Sequence, residues 1–141
     1  KEGKVKMNTN EITFYLNKAL QFEYFDVFLY PREAKLIEAR DKVIASTFEE
    51  FGLMEVRHAD LLARRILQLK GKPVWNFSIL QSKIDLKDIL MRHIEYENRA
   101  IDFYGTLLEK VDDETKILLR GIKAEEEIHL SKLGEFLKTI K

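Results

Sequence analysis

The sequence from residue 41 to 70 predicts one long amphipathic helix whose apolar face contains two polar residues. Apolar residues recur along it at spacings of three and four, the period of a single buried helix face. Glu55 and His58 lie within that face, where leucine or isoleucine is expected. Residues three apart on a helix point the same way. Burying both without partners costs several kcal/mol, so we expect the interior of the protein to supply something that binds them.

The same Glu-x-x-His pattern recurs near the end of the chain, and two single glutamates interrupt the apolar faces of the first and third helical stretches. The order is a single Glu and then Glu-x-x-His, repeated once, with separations of 32 and 29 residues between the glutamates. We interpret the chain as two helical hairpins of the same plan that hold metal between them. The predicted metal ligands are Glu23, Glu55, His58, Glu97, Glu126 and His129.

Four glutamates and two histidines at one level of a four-helix bundle are the ligand set of known di-iron and di-manganese carboxylate proteins. We expect the single glutamates to be terminal ligands, and Glu55 and Glu126 to bridge two ions. Four carboxylates neutralise two divalent cations in an apolar interior. Imidazole with carboxylate suits two iron or manganese ions, and zinc or copper can also bind on affinity alone. The simpler hypothesis, a solvated Glu/His face, conflicts with the Leu, Ile and Phe residues in the turns above and below each ligand.

The fold class predicted from these patterns is all-α, an antiparallel four-helix bundle. We expect a flexible N-terminal tail at residues 1–8 and a single domain at residues 9–141. Thr9 or Asn10 is the expected cap of the first helix. Pro31 is expected to kink or end this helix near Tyr30. Because Glu23 and Glu55 must lie at one level, the turn to the second helix is expected at residues 37–40.

The second helix is expected to end at Gly71, before Pro73. One long crossover connection, residues 72–84, then leads to the third helix, which begins at Asp85. It is long enough to run the length of the bundle and make helices 2 and 3 parallel. Its apolar residues predict that it packs on the bundle. They are Trp75, Phe77, Ile79 and Leu80. The acidic run 112–114 is expected to cap the fourth helix.

The composition excludes several classes of protein and site. The chain has 141 residues, 24 basic and 24 acidic side chains, and no cysteine. Thiolate, disulfide and iron–sulfur chemistry are therefore excluded. The balanced charge gives no reason to expect nucleic acid or a membrane surface as a partner. No apolar run is long enough to span a bilayer, so we expect a cytoplasmic protein.

Two tyrosines lie seven positions after the single glutamates, on the same helix faces. Tyr30 and Tyr104 are therefore candidate catalytic residues that hydrogen-bond metal ligands or relay electrons, or else amphipathic core residues. His93, four positions before Glu97, is expected at the surface or between helices. Asp60 and Asp102 are candidates for orienting a histidine ring. Arg57 and Arg99 are expected to pair with surface acids.

These residues resemble the ferritin-like superfamily, in particular its bacterioferritin and rubrerythrin branches. The resemblance covers residues 11–140 and is carried by the segments 16–23, 55–60, 97–104 and 125–129. It implies a ferritin-like bundle whose di-iron centre reacts with O2 or hydrogen peroxide, as a ferroxidase or a peroxide reductase. Tyr30 matches a tyrosine near the bacterioferritin centre.

Two positions depart from those branches. Rubrerythrin-like centres carry an additional carboxylate one turn after the third-helix glutamate, where this chain has Ala100. Bacterioferritins bind haem through a methionine directly after the second-helix glutamate, where this chain has Val56. We therefore expect no haem of that type.

The sequence is compatible with three functions. The first is a redox enzyme that reacts with O2 or H2O2 and is re-reduced by an unknown electron donor. The second is an iron-storage subunit, and the third is a helical module that uses metal only for stability. The first helix is apolar nearly all round, which predicts a homodimer, with exchange of hairpins through the long connection as one form of it. The alternative is that its aromatic residues lie under a crossing loop of the same chain.

Overall fold

The computed structural model describes residues 6–76 and 85–140, which form four α-helices. They are α1 (Thr9–Ile37), α2 (Lys42–Gln68), α3 (Leu86–Leu107) and α4 (Asp113–Thr139). The two hairpins α1–α2 and α3–α4 pack together, with α1 beside α3 and α2 beside α4. The predicted all-α four-helix bundle is confirmed. Residues 1–5 of the predicted tail and the apolar residues Phe77, Ile79 and Leu80 lie outside the described residues.

Side chains before each helix bind its free N–H groups. Asp41, Asp85 and Asp112 accept hydrogen bonds at the starts of α2, α3 and α4. The prediction of Thr9 or Asn10 as the first cap was wrong, because Asn8 takes this role. Asn8 and Glu11 form a reciprocal capping box that binds two N–H groups, and neither Thr9 nor Asn10 has such a partner three residues on.

The end of the predicted tail packs on the bundle. Met7 N donates to Lys110 O at 2.8 Å, and Lys6 Nζ donates to Val111 O at 3.3 Å. Residues 6–8 therefore belong to the folded domain and contact the turn between α3 and α4.

Of the two effects expected of Pro31, a kink or the end of the first helix near Tyr30, the second does not occur, because α1 continues to Ile37. The turn instead follows at residues 38–40, inside the range expected from matching Glu23 with Glu55. Residues after the proline bury apolar side chains on α2, including Ala34 and Ile37. This burial outweighs the lost backbone hydrogen bond. Gly52 of α2 leaves room for the proline ring, since a Cβ there would lie 3.0 Å from Pro31 Cδ.

The end of α2 differs slightly from the prediction. The helix ends at Gln68, and the residue with positive φ is Lys70, at 68°. Gly71 is required for another reason: a Cβ there would lie 2.3 Å from Thr13 Cγ2 of α1. The glycine allows the chain to cross closely over the start of the first helix.

The described part of the crossover connection is bound to α1 by two side-chain amides. Asn17 bonds to Lys72 O and Val74 N, and Gln21 bonds to Val74 O and Asn76 N. The Trp75 ring lies 4.5 Å from that of Tyr24 and 5.7 Å from that of Phe28. The prediction that the connection packs on the bundle is confirmed for Trp75.

The apolar core has two clusters. One contains Leu16, Leu62 and Leu119, and the other contains Ile37, Phe48 and Leu133. Between the two clusters, each helix buries one glutamate. These are Glu23, Glu55, Glu97 and Glu126. None of the described helices is both long and apolar enough to cross a membrane.

We predict that Gly52→Leu lowers the free energy of unfolding by roughly 1–3 kcal/mol, because the added side chain meets Pro31 where the helices touch. The matched control is Gly121→Leu in α4, where a Cβ meets nothing within 4 Å. That change is expected to raise stability by up to about 1 kcal/mol through helix propensity. Urea denaturation of both variants measures the difference. Equal stabilities would contradict the close α1–α2 contact.

Candidate metal centre

The structure brings the six predicted ligand residues together inside the bundle, with no more than 3% of any of them exposed. All four helices contribute: α1 and α3 supply one glutamate each, and α2 and α4 supply a Glu-x-x-His pair each. Because residues three apart share a helix face, each histidine lies beside the glutamate of its own motif.

The ligand atoms form two overlapping groups. In the first, one atom from each of Glu23, Glu55, His58 and Glu126 lies within 4.8 Å of the others. The second group contains Glu55, Glu97, Glu126 and His129 at the same spacing. Glu55 and Glu126 belong to both groups. The arrangement therefore offers two adjacent positions for a cation, each with a separate Glu and His and with two shared carboxylates.

Both histidines turn Nδ1 toward the carboxylates. His58 Nδ1 lies 2.9 Å from Glu55 Oε1 and 3.4 Å from Glu126 Oε2. His129 Nδ1 lies 3.2 Å from Glu55 Oε2 and 3.3 Å from Glu126 Oε1. The ring of Phe51 stacks on His129 at 3.9 Å and fixes its plane. Nδ1 is therefore the nitrogen that each ring offers to a metal.

The two candidate tyrosines are completely buried and hydrogen-bond the single glutamates. Tyr30 of α1 donates to Glu97 Oε2 at 2.6 Å, and Tyr104 of α3 donates to Glu23 Oε2. Each helix therefore positions the carboxylate of the other. The Oε1 atoms of Glu23 and Glu97 have no hydrogen-bond partner. Tyrosine holds one oxygen of each carboxylate, and the second oxygen remains available to a cation.

The carboxylate that orients a histidine ring is Glu125. His58 Nε2 donates to Glu125 Oε1 at 2.5 Å, and Arg57 bonds the same carboxylate at 3.2 Å. The choice of Asp60 for this role was wrong, since Asp60 pairs with Arg64 at the surface. Asp102 is exposed and has no such contact. The position of Glu125, directly before the predicted ligand Glu126, was the available signal in the sequence.

The predicted pairing of both arginines with acids is confirmed. Arg57 pairs with Glu125, and Arg99 pairs with Glu95 at 2.7 Å. His93 lies between helices rather than at the surface, and it is fully buried. Its Nε2 donates to Glu33 Oε1 at 2.6 Å, and its ring stacks on Tyr30 at 4.1 Å.

Burial and mutual repulsion change the proton affinities of the centre. Burial, then the charges of Glu23 and Glu126, raise the pKa of Glu55 well above its usual value. Burial and the charge of Glu126 raise the pKa of Glu97 to about 7. Burial alone would lower the pKa values of the histidines. Nearby carboxylates outweigh it, and raise that of His58 to about 11 and that of His129 to about 9.

The residues present fit a pair of divalent cations. Glu126 Oε1, like Glu23 Oε1 and Glu97 Oε1, is buried without a hydrogen-bond partner, an arrangement that normally costs about 1–3 kcal/mol for each atom. Cations bound here would satisfy these oxygens and offset the repulsion that raises the carboxylate pKa values. The oxygen and imidazole donors suit iron, manganese or zinc.

A cavity of about 280 Å³ adjoins the centre between α1 and α3. Buried Glu23 and Glu126 line it beside Ala100, and the exposed Arg99 lies at its rim. Its aromatic walls are Phe22, Phe25 and Tyr96. The small Ala100 side chain keeps this approach to the carboxylates open.

The metal-free protein is predicted to lose stability as the pH rises from about 5 to 9. The folded protein binds the protons of Glu97 and His129 more tightly than the unfolded chain does. Their stabilisation is complete below the unfolded pKa values of 4.5 and 6.5, and is lost as the pH passes about 7 and about 9. Thermal unfolding of the apoprotein should show a falling melting temperature. In Glu97→Gln, the decrease of the melting temperature between about pH 5 and 7 should be smaller than in the wild type. A wild-type melting temperature that stays constant or rises with pH would contradict these pKa shifts.

Comparisons with known proteins identify the family of this chain. A family model for the ferritin-like domain matches residues 15–141. The bacterioferritin of Desulfovibrio desulfuricans, whose structures describe a diiron site in different catalytic states, is similar in fold. The TM-score is 0.86 at 22% sequence identity, over 92% of this chain and 80% of that one. No curated protein matches the chain. The chain belongs to the ferritin-like domain family.

Proposed function

We propose that this chain is a di-iron oxidoreductase that reacts with O2 or hydrogen peroxide, with ferroxidase activity as the simplest form of the reaction. The single observation that carries the proposal is the sharing of Glu55 and Glu126 between two adjacent groups of four ligand residues. Two cations bound by shared carboxylates act together on one small molecule. Membership of the ferritin-like domain family and the similarity in fold to a bacterioferritin support iron as the metal.

The geometry supports one assignment of ligand roles. Glu23 with His58 would hold one ion, and Glu97 with His129 the other, with Nδ1 as the imidazole ligand atom. When bound, two ferrous ions would supply the two electrons that reduce H2O2 to water, or O2 to H2O2, with uptake of two protons. An external reductant of unknown identity would return the electrons for a further cycle.

The surrounding residues position the ligands. Tyr30 and Tyr104 hold the outer oxygens of the single glutamates, and Glu125 fixes the ring of His58. The cavity beside Ala100 is large enough for O2, peroxide or a hydrated cation to approach Glu23 and Glu126.

The test is rapid mixing of the ferrous-loaded protein with O2 and, separately, with H2O2. Glu126→Gln removes one carboxylate charge shared by both ion positions, so we expect the oxidation rate to fall by about 100-fold, equivalent to ~2.7 kcal/mol. The matched control is Glu127→Gln on the exposed side of the same helix, where Glu127 only pairs with Lys123. That variant should react like the wild type.

Two results would contradict the proposal. One is a ferrous-loaded wild-type protein that is inert to both oxidants. The other is an equal rate in the Glu126→Gln and Glu127→Gln variants. Zinc and iron that stabilise the protein equally, without turnover, would instead indicate a metal-stabilised helical module.

We also propose that the chain forms a homodimer through the aromatic surface of α1. Phe14 and Phe28 are 56% and 51% exposed, and Trp75 beside Phe28 is 62% exposed. Adjacent exposed aromatic side chains are typical of protein contacts.

Light scattering is expected to give twice the 16.7 kDa mass of one chain. Phe14→Glu should shift the mass toward the monomer, whereas Ile117→Glu on α4, which is 70% exposed, should not. A wild-type monomer would overturn the dimer. A hollow assembly of many subunits with a mineral core would favour iron storage.

A further inference from the structure

Two buried polar atoms outside the six predicted ligands face each other without a hydrogen bond. Asp26 Oδ1 and His93 Nδ1 lie 3.6 Å apart, and neither has a hydrogen-bond partner. Asp26 is 6% exposed, and His93 is fully buried. Both residues lie outside the two overlapping groups that form the candidate metal centre. We propose that Asp26 and His93 form a third site, which binds a divalent transition-metal cation such as Fe²⁺, Co²⁺ or Zn²⁺.

In the metal-free protein the two groups form a long ion pair at 3.6 Å. This separation is also the one that a shared cation requires. A direct N–H···O hydrogen bond would require about 2.7–3.2 Å. A bridging water at ordinary hydrogen-bond lengths and a tetrahedral angle would require about 4.6 Å. A tetrahedral cation about 2.0–2.2 Å from each atom places them about 3.4 Å apart, close to the observed 3.6 Å.

The opposite side of the imidazole is arranged as in known metal sites. His93 Nε2 donates to Glu33 Oε1 at 2.6 Å, and Arg92 bonds Glu33 Oε2 at 2.9 Å. A carboxylate bound to one ring nitrogen fixes the tautomer, so that the lone pair of the other nitrogen faces the metal. Here Nδ1 faces Asp26, and its lone pair becomes available to a metal when the ring loses a proton. Stacking of the ring on Tyr30 fixes its plane.

A cation at this site would replace a proton. Burial alone would lower the pKa of His93, but its interactions with Asp26 and Glu33 outweigh burial and raise the pKa to about 9. Without metal, the imidazolium and the guanidinium of Arg92 together balance the carboxylates of Asp26 and Glu33. Metal binding at Nδ1 releases that proton and supplies positive charge in its place, so the buried charge remains compensated.

The position of Asp26 connects the site to solvent and to the candidate metal centre. Asp26 lines the 280 Å³ cavity together with Glu23 and Glu126. Water from the cavity can complete the coordination shell. The Asp26 carboxylate lines the same cavity as two of the proposed ligands, so a cation in this cavity can reach both sites. The third site is therefore placed to load the centre, and its existence does not depend on the proposed redox function.

The experiment counts metal ions in the apoprotein by equilibrium dialysis against Co²⁺ and Zn²⁺. Asp26→Asn keeps the size of the side chain but removes its charge, so the variant is expected to bind one ion fewer per chain than the wild type. Asp60→Asn, which changes an exposed aspartate paired with Arg64, is the control and should bind as the wild type does. Glu33→Gln should weaken the same ion by about 10–100-fold without affecting the others.

A second measurement identifies the ligand atom. In ¹H–¹⁵N spectra of the histidine rings, Zn²⁺ should shift His93 Nδ1 in the wild type but not in Asp26→Asn. An unchanged His93 signal in the wild type, or equal metal counts in the wild type and Asp26→Asn, would overturn the third site. The same dialysis tests the candidate metal centre separately. We expect three ions per chain in the wild type and two in Asp26→Asn, and those two are the ions of the candidate metal centre.

Discussion

The structure depends on the burial of four carboxylates and two imidazoles between two apolar clusters of one helical bundle. An apolar interior strongly disfavours unpaired charge. The metal-free protein meets this constraint with protons: the pKa values of Glu55, Glu97, His58 and His129 are all raised. The same atoms offer two adjacent cation positions. Protons and metal ions are therefore alternative means of balancing one buried set of charges.

The two hairpins make the centre nearly symmetric. Tyr30 on α1 holds Glu97 on α3, and Tyr104 on α3 holds Glu23 on α1. Glu55 and Glu126 each reach both groups of ligands. The symmetry is broken around the centre. Glu125 holds the ring of His58, whereas Phe51 packs on the ring of His129. Asp26 follows the single glutamate of α1 by three residues, whereas Ala100 occupies that place on α3. These differences place the cavity and the proposed third site on one side of the centre.

The sequence allowed the bundle and the layer of six predicted ligands at its centre to be predicted, because both depend on the spacing of apolar residues along the helices. A Glu or His on the buried face of a helix is unfavourable unless it has a partner. Six such residues at one level of the bundle indicate one shared partner, a pair of metal ions. The end of α1 could not be predicted in this way. The local effect of Pro31 favours a break, but packing against Gly52 and burial of Ile37 carry the helix further.

The polar residues beyond the central layer were harder to predict. Glu125 lies beside the apolar stripe of α4 rather than in it, and only the structure shows that it reaches His58. Asp26 and Glu33 lie on α1, where aromatic residues on nearly every side make the buried face ambiguous. Their contact with His93 depends on how α1 and α3 pack, which helical periodicity within one segment does not specify.

The most direct test of this account is anomalous diffraction at the iron absorption edge from crystals of the iron-loaded protein. Besides the proposed ion between Asp26 and His93, the account predicts two iron positions inside the bundle. Both are in contact with Glu55 and Glu126, with His58 Nδ1 on one and His129 Nδ1 on the other. Iron bound only at the protein surface, or a single ion without contact to the shared glutamates, would contradict it.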